Sequence, residues 1–242
     1  MSDRSKQTRL VQYDWLESQE GREFLGVLLR RNKRRIFGLL EQPGFPSGIT
    51  PTIVPFKLLL LGKSAVGKTS TVAKIAGKEL PAIYSETPGI QTTLIYWPAK
   101  LVSSSKVVLF KLHFWDVGDS AMKKFDHIKT SAHMKPDAVI FFFSFTDSEI
   151  TEEELRDFQE QWNIPILKIC NNEGRKLADG SLDGRAGIME IAPILNTIIE
   201  VLWRRRENEN RKVGQHKSSK KRPTSNQGSN KTLQDDHHIT DI

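Results

Sequence analysis

The chain has 242 residues, 38% of them apolar, and a formal net charge of +7. That length holds one α/β domain with a real core plus appendages. A single cysteine, Cys170, excludes a disulfide framework within one chain. The N-terminal MSDRSKQTRL has no apolar leader segment, no apolar run approaches the ~20 residues of a membrane helix, and the C-terminus has no cysteine to prenylate. A cytosolic protein without a lipid anchor of its own is expected.

The charge has a location. Residues 204–222 carry nine Lys/Arg and two Glu, so this stretch accounts for the whole +7. The core is therefore electrically balanced, and nucleic acid is not an expected partner. The tail lacks aromatics after Trp203, so base stacking is not expected either. Peripheral contact of the basic segments with an anionic membrane stays open.

In chain order, residues 1–14 read as unstructured. Residues 15–55 read as a basic amphipathic helix and linker. The helix spans Glu17–Glu41, with Phe24, Leu25, Leu28 and Leu29 at helical spacing and a basic cluster at Arg30–Arg35. The linker is marked by Pro43, Gly44, Pro46, Gly48, Pro51 and Pro55.

A compact α/β domain is expected over 56–204. Phe56–Leu61 is a continuous apolar run, the pattern of a strand buried on both faces, and a helix follows from Lys68. Gln91–Trp97 and Val107–Trp115 read as antiparallel strands joined around Lys100–Lys106. A helix is predicted at Ser120–Met134 and a buried strand at Ala138–Phe145. Ser148–Trp162 reads as a helix with Thr151 and Glu154 as a capping box. Ile164–Cys170 reads as a strand that buries Cys170. The terminal helix is predicted over Gly187–Arg204, with Pro193 kinking it or in its first turns. Residues 205–242 read as a disordered polybasic tail. This order gives a doubly wound α/β sheet.

The chemistry lies between the first strand and the first helix. Gly62-Lys-Ser-Ala-Val-Gly-Lys-Thr69 matches G-x-x-x-x-G-K-[ST] in its required context. Glycines let backbone N–H groups turn toward phosphates, and the following helix adds its positive end. Lys68 would neutralise β/γ-phosphate charge. Gly62, Lys63, Ser64, Ala65, Val66, Gly67, Lys68, Thr69, Ser70 and Thr87 are the candidate nucleotide-binding residues. Thr69, Thr87 and Asp116 are the candidate Mg²⁺ ligands. Thr87 lies eighteen residues after Thr69 in a loop before a strand, and Asp116 ends the strand Val107–Trp115. No catalytic residue is assigned.

With these motifs, the chain resembles small GTPases of the Ras superfamily, nearest the Rab and Rem types. More narrowly it resembles the Rem/Rab-like small GTPases of the ciliogenesis and planar polarity effector (CPLANE) complex. The resemblance is carried by Gly62–Thr69, Thr87-Pro-Gly-Ile-Gln-Thr-Thr93, Trp97-Pro-Ala-Lys100, Phe114-Trp-Asp-Val-Gly118, Lys123-Lys-Phe-Asp-His127, Phe143-Ser-Phe-Thr-Asp147, Leu177-Ala-Asp-Gly180 and Leu182-Asp-Gly-Arg-Ala-Gly187. It implies GTP/GDP and Mg²⁺ as cofactors and CPLANE subunits such as Fuzzy and Inturned as partners. It further implies a role at the cilium basal body in ciliogenesis and targeted vesicle traffic.

Three departures stand out. Where such GTPases read Asp-x-x-Gly-Gln, this chain has Asp116-Val-Gly-Asp-Ser120. Serine is too short to orient the attacking water and a carboxylate at 119 would repel a γ-phosphate, so slow intrinsic hydrolysis is expected. The guanine-reading [NT]-Lys-x-Asp motif is missing: Lys123–Asp126 lies in the switch-II region and Lys176–Asp179 has the wrong spacing. The resemblance implies about fifty further residues, one helix and one strand, near Asp147-Ser148-Glu149, which leaves five strands instead of six. Lastly, the final base-contacting loop falls near Ile169–Asn172 without a clean match. A pseudo-GTPase interaction module is therefore a second reading. A P-loop ATPase or kinase is a weaker third, because the Thr87 loop and Trp115-Asp116 argue against it.

Overall fold

The computed structural model describes residues 9–28, 51–80, 83–144, 151–172, 174–179 and 183–219. The basic cluster Arg30–Arg35, most of the linker and the join at Asp147-Ser148-Glu149 lie outside them. The chain divides into two compact units, Met1–Arg205 and Arg206–Ile242.

The first unit is built on a four-stranded sheet ordered β2-β3-β1-β4, with β1 at Thr52–Leu61, β2 at Ile90–Lys100, β3 at Val107–Val117 and β4 at Ala138–Phe141. The apolar run of β1 forms an interior strand because both of its edges find partners. It pairs in parallel with β3 from Thr52↔Val108 to Leu60↔Asp116, and with β4 from Leu58↔Ala138 to Leu61↔Phe141. Leu58, Leu59 and Leu60 are fully buried. The expected hairpin is present and longer than its apolar runs, with β2 and β3 antiparallel from Ile90↔Val117 to Lys100↔Val107.

The described helices are α1 (Gln19–Leu28), α2 (Lys68–Ile75), α3 (Asp119–Lys124), α4 (Asp126–His133), α5 (Glu152–Trp162) and α6 (Gly184–Ser219). The helix expected over Ser120–Met134 is two helices, broken where Phe125 takes an extended conformation. At α5 both arms of the Thr151–Glu154 capping box form. The span Gly184–Lys212 within α6 is long and apolar enough to cross a membrane by length and composition. Its apolar residues Ile188, Ile191, Leu195, Ile199 and Leu202 lie in the main core instead, with Leu58, Leu60, Phe110, Leu112 and Phe114.

Four expectations are corrected. Residues 9–14 were expected to lack structure, yet they form a strap. Val11 bridges Leu101 and is 1% exposed, and the Glu200 carboxylate accepts the backbone N–H groups of Leu10 and Val11 at 2.9 Å. Buried apolar area and a carboxylate on otherwise unpaired amides outweigh the polar composition of the segment. Second, the helix of α6 continues to Ser219. Within the second unit Glu207 and Arg211 stand as an i,i+4 pair at 3.8 Å, a local helix stabiliser that a polar composition conceals.

Third, Ile164–Cys170 is not a strand, so the sheet has four strands among the described residues rather than five. The end of this segment is tied to α2, where Lys74 Nζ donates to the Cys170 carbonyl at 2.5 Å. An apolar run becomes a strand only if a neighbouring edge accepts its backbone. Fourth, and for the same reason, Cys170 is exposed rather than buried. Beside this, Val139, Phe141 and Phe143 of β4 and the residues following it are exposed, Phe141 at 72%.

One buried polar contact locks the hairpin to α6: Trp97 Nε1 donates to Asn196 Oδ1 at 2.8 Å, with both residues buried. Replacing Asn196 with Ala strands the indole N–H. The expected loss of unfolding free energy is about 1–3 kcal/mol, read by urea denaturation.

Candidate functional site

β1 ends at Leu61 and α2 begins at Lys68, so the P-loop is the short turn that must reverse the chain between them. Gly67, preceding α2, has φ +90°, and a Cβ there would lie 2.8 Å from Asn171 Nδ2. The left-handed dihedral therefore favours glycine, while a Cβ there would displace only the end of the Asn171 side chain. Lys68 is 7% exposed, and its ammonium donates to the Gly62 and Lys63 carbonyls at 2.8 and 2.9 Å. Its charge is thus held at the centre of the loop.

Above the loop is a cavity of about 300 Å³. Of the predicted residues, Ser64, Ala65, Gly67, Lys68, Thr69, Ser70 and Thr87 line it. Gly62 and Lys63 contribute the carbonyls that hold Lys68, and Val66 lies against Gly62.

The three predicted metal ligands converge although they are far apart in sequence. The parallel register Leu60↔Asp116 brings the end of β3 beside the end of β1. Thr69 Oγ1 donates to Asp116 Oδ2 at 2.5 Å, Thr87 Oγ1 donates to the same oxygen at 3.2 Å, and the two hydroxyls are 3.1 Å apart. Asp116 is 2% exposed and its Oδ1 is buried with no hydrogen-bond partner. A buried carboxylate oxygen without a partner is costly. Two hydroxyls and a carboxylate are hard oxygen donors of the kind Mg²⁺ takes, so these residues fit that ion.

The loop carrying Thr87 crosses the start of the switch-II segment at close range. Gly118 N–H donates to the Gly89 carbonyl and Gly89 N–H to the Thr87 carbonyl, each at 2.9 Å. A Cβ on Gly118 would meet Thr87 O at 2.0 Å.

Sequence reasoning missed Glu86. Its Oε1 accepts from Ser64 Oγ at 3.0 Å and from the Ser120 N–H at 2.9 Å, and its Oε2 accepts from Ser120 Oγ at 3.0 Å. These bonds, led by the Ser120 backbone N–H, hold its carboxyl below the usual range. No residue pattern marks such a role; only adjacency to Thr87 hints at it. Asp119, expected to face a γ-phosphate, lines the cavity but is paired with Lys123 Nζ at 2.6 Å.

The expected last base-contacting loop does reach the P-loop. Asn171 Nδ2 donates to the Gly67 carbonyl at 3.3 Å and to Thr71 Oγ1 at 3.0 Å. Neither Lys123–Asp126 nor Lys176–Asp179 lines the cavity.

Together the parallel β1–β3 pair, the P-loop and the crossing switch segments define a Ras-like P-loop GTPase domain. The family model for the Ras of Complex, Roc, domain of DAPkinase matches residues 57–174. Human ciliogenesis and planar polarity effector 2 is 42% identical over 226 residues, covering 78% of this chain and 88% of that protein. The Xenopus tropicalis protein of the same name is 39% identical over 232 residues, covering 81% and 91%. The Danio rerio one is 34% identical over 229 residues, covering 80% and 86%. The chain belongs to the ciliogenesis and planar polarity effector 2 family. A human match of 226 residues against 78% of a 242-residue chain leaves roughly 37 positions of the relative without counterparts here. That is fewer than the fifty expected.

Gly118→Ala is expected to force the Thr87 loop off β3. The predicted readouts are a stability loss of about 1–3 kcal/mol and faster hydrogen exchange over 85–89, with unchanged exchange there overturning the crossing as described.

Proposed function

We propose that the chain is a guanine-nucleotide switch that binds GTP or GDP with Mg²⁺ and hydrolyses GTP slowly by itself. The observation that supports this most is the meeting of Thr69, Thr87 and Asp116 beside Lys68, with one buried Asp116 oxygen left without a partner. In this reading Gly62–Ser70 enclose the phosphates with backbone N–H groups and the Lys68 charge. Thr69, Thr87 and Asp116 are the residues that would hold Mg²⁺, which supplies neutralisation of phosphate charge. Thr87 draws its loop down on the site, and the Asp116–Lys124 segment follows through the Gly118–Gly89 contact. Loop ordering of that kind builds a partner surface.

Slow hydrolysis follows from residue 120. Serine replaces the water-orienting glutamine, and both its N–H and its hydroxyl are engaged by Glu86. Intrinsic turnover is expected far below the roughly 5–20 per second of a GAP-stimulated GTPase. A single-turnover assay without partners measures it, and a rate in that range contradicts the assignment.

The names of the relatives and the resemblance described above favour action as a planar cell polarity effector in cilium biogenesis. Fuzzy and Inturned would be partners, with the basal body as the place of action and targeted vesicle traffic and exocytosis as the process. A second reading is a pseudo-GTPase interaction module. It is favoured by the failure of both Lys-x-x-Asp stretches to line the cavity.

Chromatography of nucleotide released from the purified chain separates the two. Guanine nucleotide near one per chain is expected. Lys68→Ala should lower retention by about two orders of magnitude, because charge-assisted contacts to phosphate contribute about 1.5–3 kcal/mol each. Chelation of Mg²⁺ should speed release. Absence of nucleotide, or retention indifferent to Lys68, supports the module instead.

A further inference from the structure

Glu86 makes contacts that the nucleotide reading does not require. Three donors converge on one carboxylate, and they come from two segments distant in sequence. Ser64 belongs to the P-loop, 22 residues before it, and Ser120 lies in the first turn of α3, 34 residues after it. An ordinary helix cap accepts from its own helix only. This carboxylate instead ties the Thr87 loop, the P-loop and the switch-II segment into one unit. Competing partners are already committed, since Asp119 is paired with Lys123 and Lys68 with two loop carbonyls.

In GTPases the switch segments are ordinarily held by contacts to the γ-phosphate and are released on hydrolysis. The bonds of Glu86 are of the same kind, an anionic oxygen accepting from a backbone N–H and from hydroxyls, but the anion belongs to the protein. Hydrolysis cannot remove it. Charge-assisted bonds of this type are the stronger ones, and three on one group make a substantial tether.

We propose that Glu86 is a built-in surrogate for the terminal phosphate, a positioning residue that holds both switch segments on the P-loop whether the bound nucleotide is a di- or a triphosphate. The proposal rests on the nucleotide-switch reading for its ligand, while the tether itself is a property of the chain. Its consequence is a switch whose diphosphate form keeps the closed surface. The same contacts occupy Ser120, so they also keep that residue from reaching an attacking water.

Hydrogen exchange over 83–89 and 118–124 tests this in three states: free of nucleotide, with GDP, and with a non-hydrolysable GTP analogue. In the unaltered chain, protection is expected to be equal with GDP and with the analogue. In Glu86→Ala, exchange should rise roughly tenfold in the free and GDP states, and the analogue should restore protection. Ser64→Ala and Ser120→Ala each remove one arm and should give intermediate rises, so the test survives if Glu86→Ala does not fold. An unaltered chain protected only by the analogue overturns the proposal, as does Glu86→Ala exchanging like the unaltered chain with GDP. If neither nucleotide binds, the nucleotide-switch reading and the surrogate role fall together. The nucleotide-free comparison then decides separately whether Glu86 is a tether.

Discussion

The parallel pairing of β1 with β3 is the constraint from which the site follows. Its last rung, Leu60↔Asp116, sets a carboxylate from the middle of the chain beside the loop that leaves β1. A slip of one residue would turn Asp116 to the opposite face of the sheet and remove it from Thr69. The register is fixed by the core beneath it. Leu58 and Leu60 on β1 and Phe110, Leu112 and Phe114 on β3 are buried in one cluster with α6, and Phe56 stacks on Phe110 at 6.2 Å. A one-residue slip of β3 would turn Phe110, Leu112 and Phe114 away from that cluster. Distant packing thereby sets Asp116 within hydrogen-bond reach of Thr69 at the site.

The same sheet shows where the chain departs from a full doubly wound fold. β4 is four residues long, and among the described residues it has a partner strand on one edge only. Val139 and Phe141, together with Phe143, Ile164 and Leu167 nearby in sequence, are exposed. The phosphate-facing half of the domain does not depend on that edge, because β1, β2, β3, α2 and α6 already close the main core. Asn171 reaches back to Gly67, while among the described residues neither Lys-x-x-Asp stretch lines the cavity.

Ser120 has both its N–H and its hydroxyl engaged by Glu86; under the proposed nucleotide-switch reading, a serine so held in place of a water-orienting glutamine favours holding over turnover. The tight crossing of Thr87 over Gly118 points the same way, since it links the two switch segments through backbone alone.

The sequence by itself determined the P-loop, the β1 run, the hairpin and the α5 cap, because each is a local pattern formed by residues close together in the chain. It also named Thr69, Thr87 and Asp116 from their spacing and flanking strands. It misjudged Ile164–Cys170, since an apolar run shows that a strand could be buried and not whether a neighbouring edge exists to pair with it. It misjudged residues 9–14, whose order comes from Glu200 and Leu101, roughly 190 and 90 residues away. Only the tertiary structure decided that Glu86 bridges Ser64 and Ser120, because three hydrogen bonds to one carboxylate depend on where loops cross, and no local residue pattern encodes a crossing.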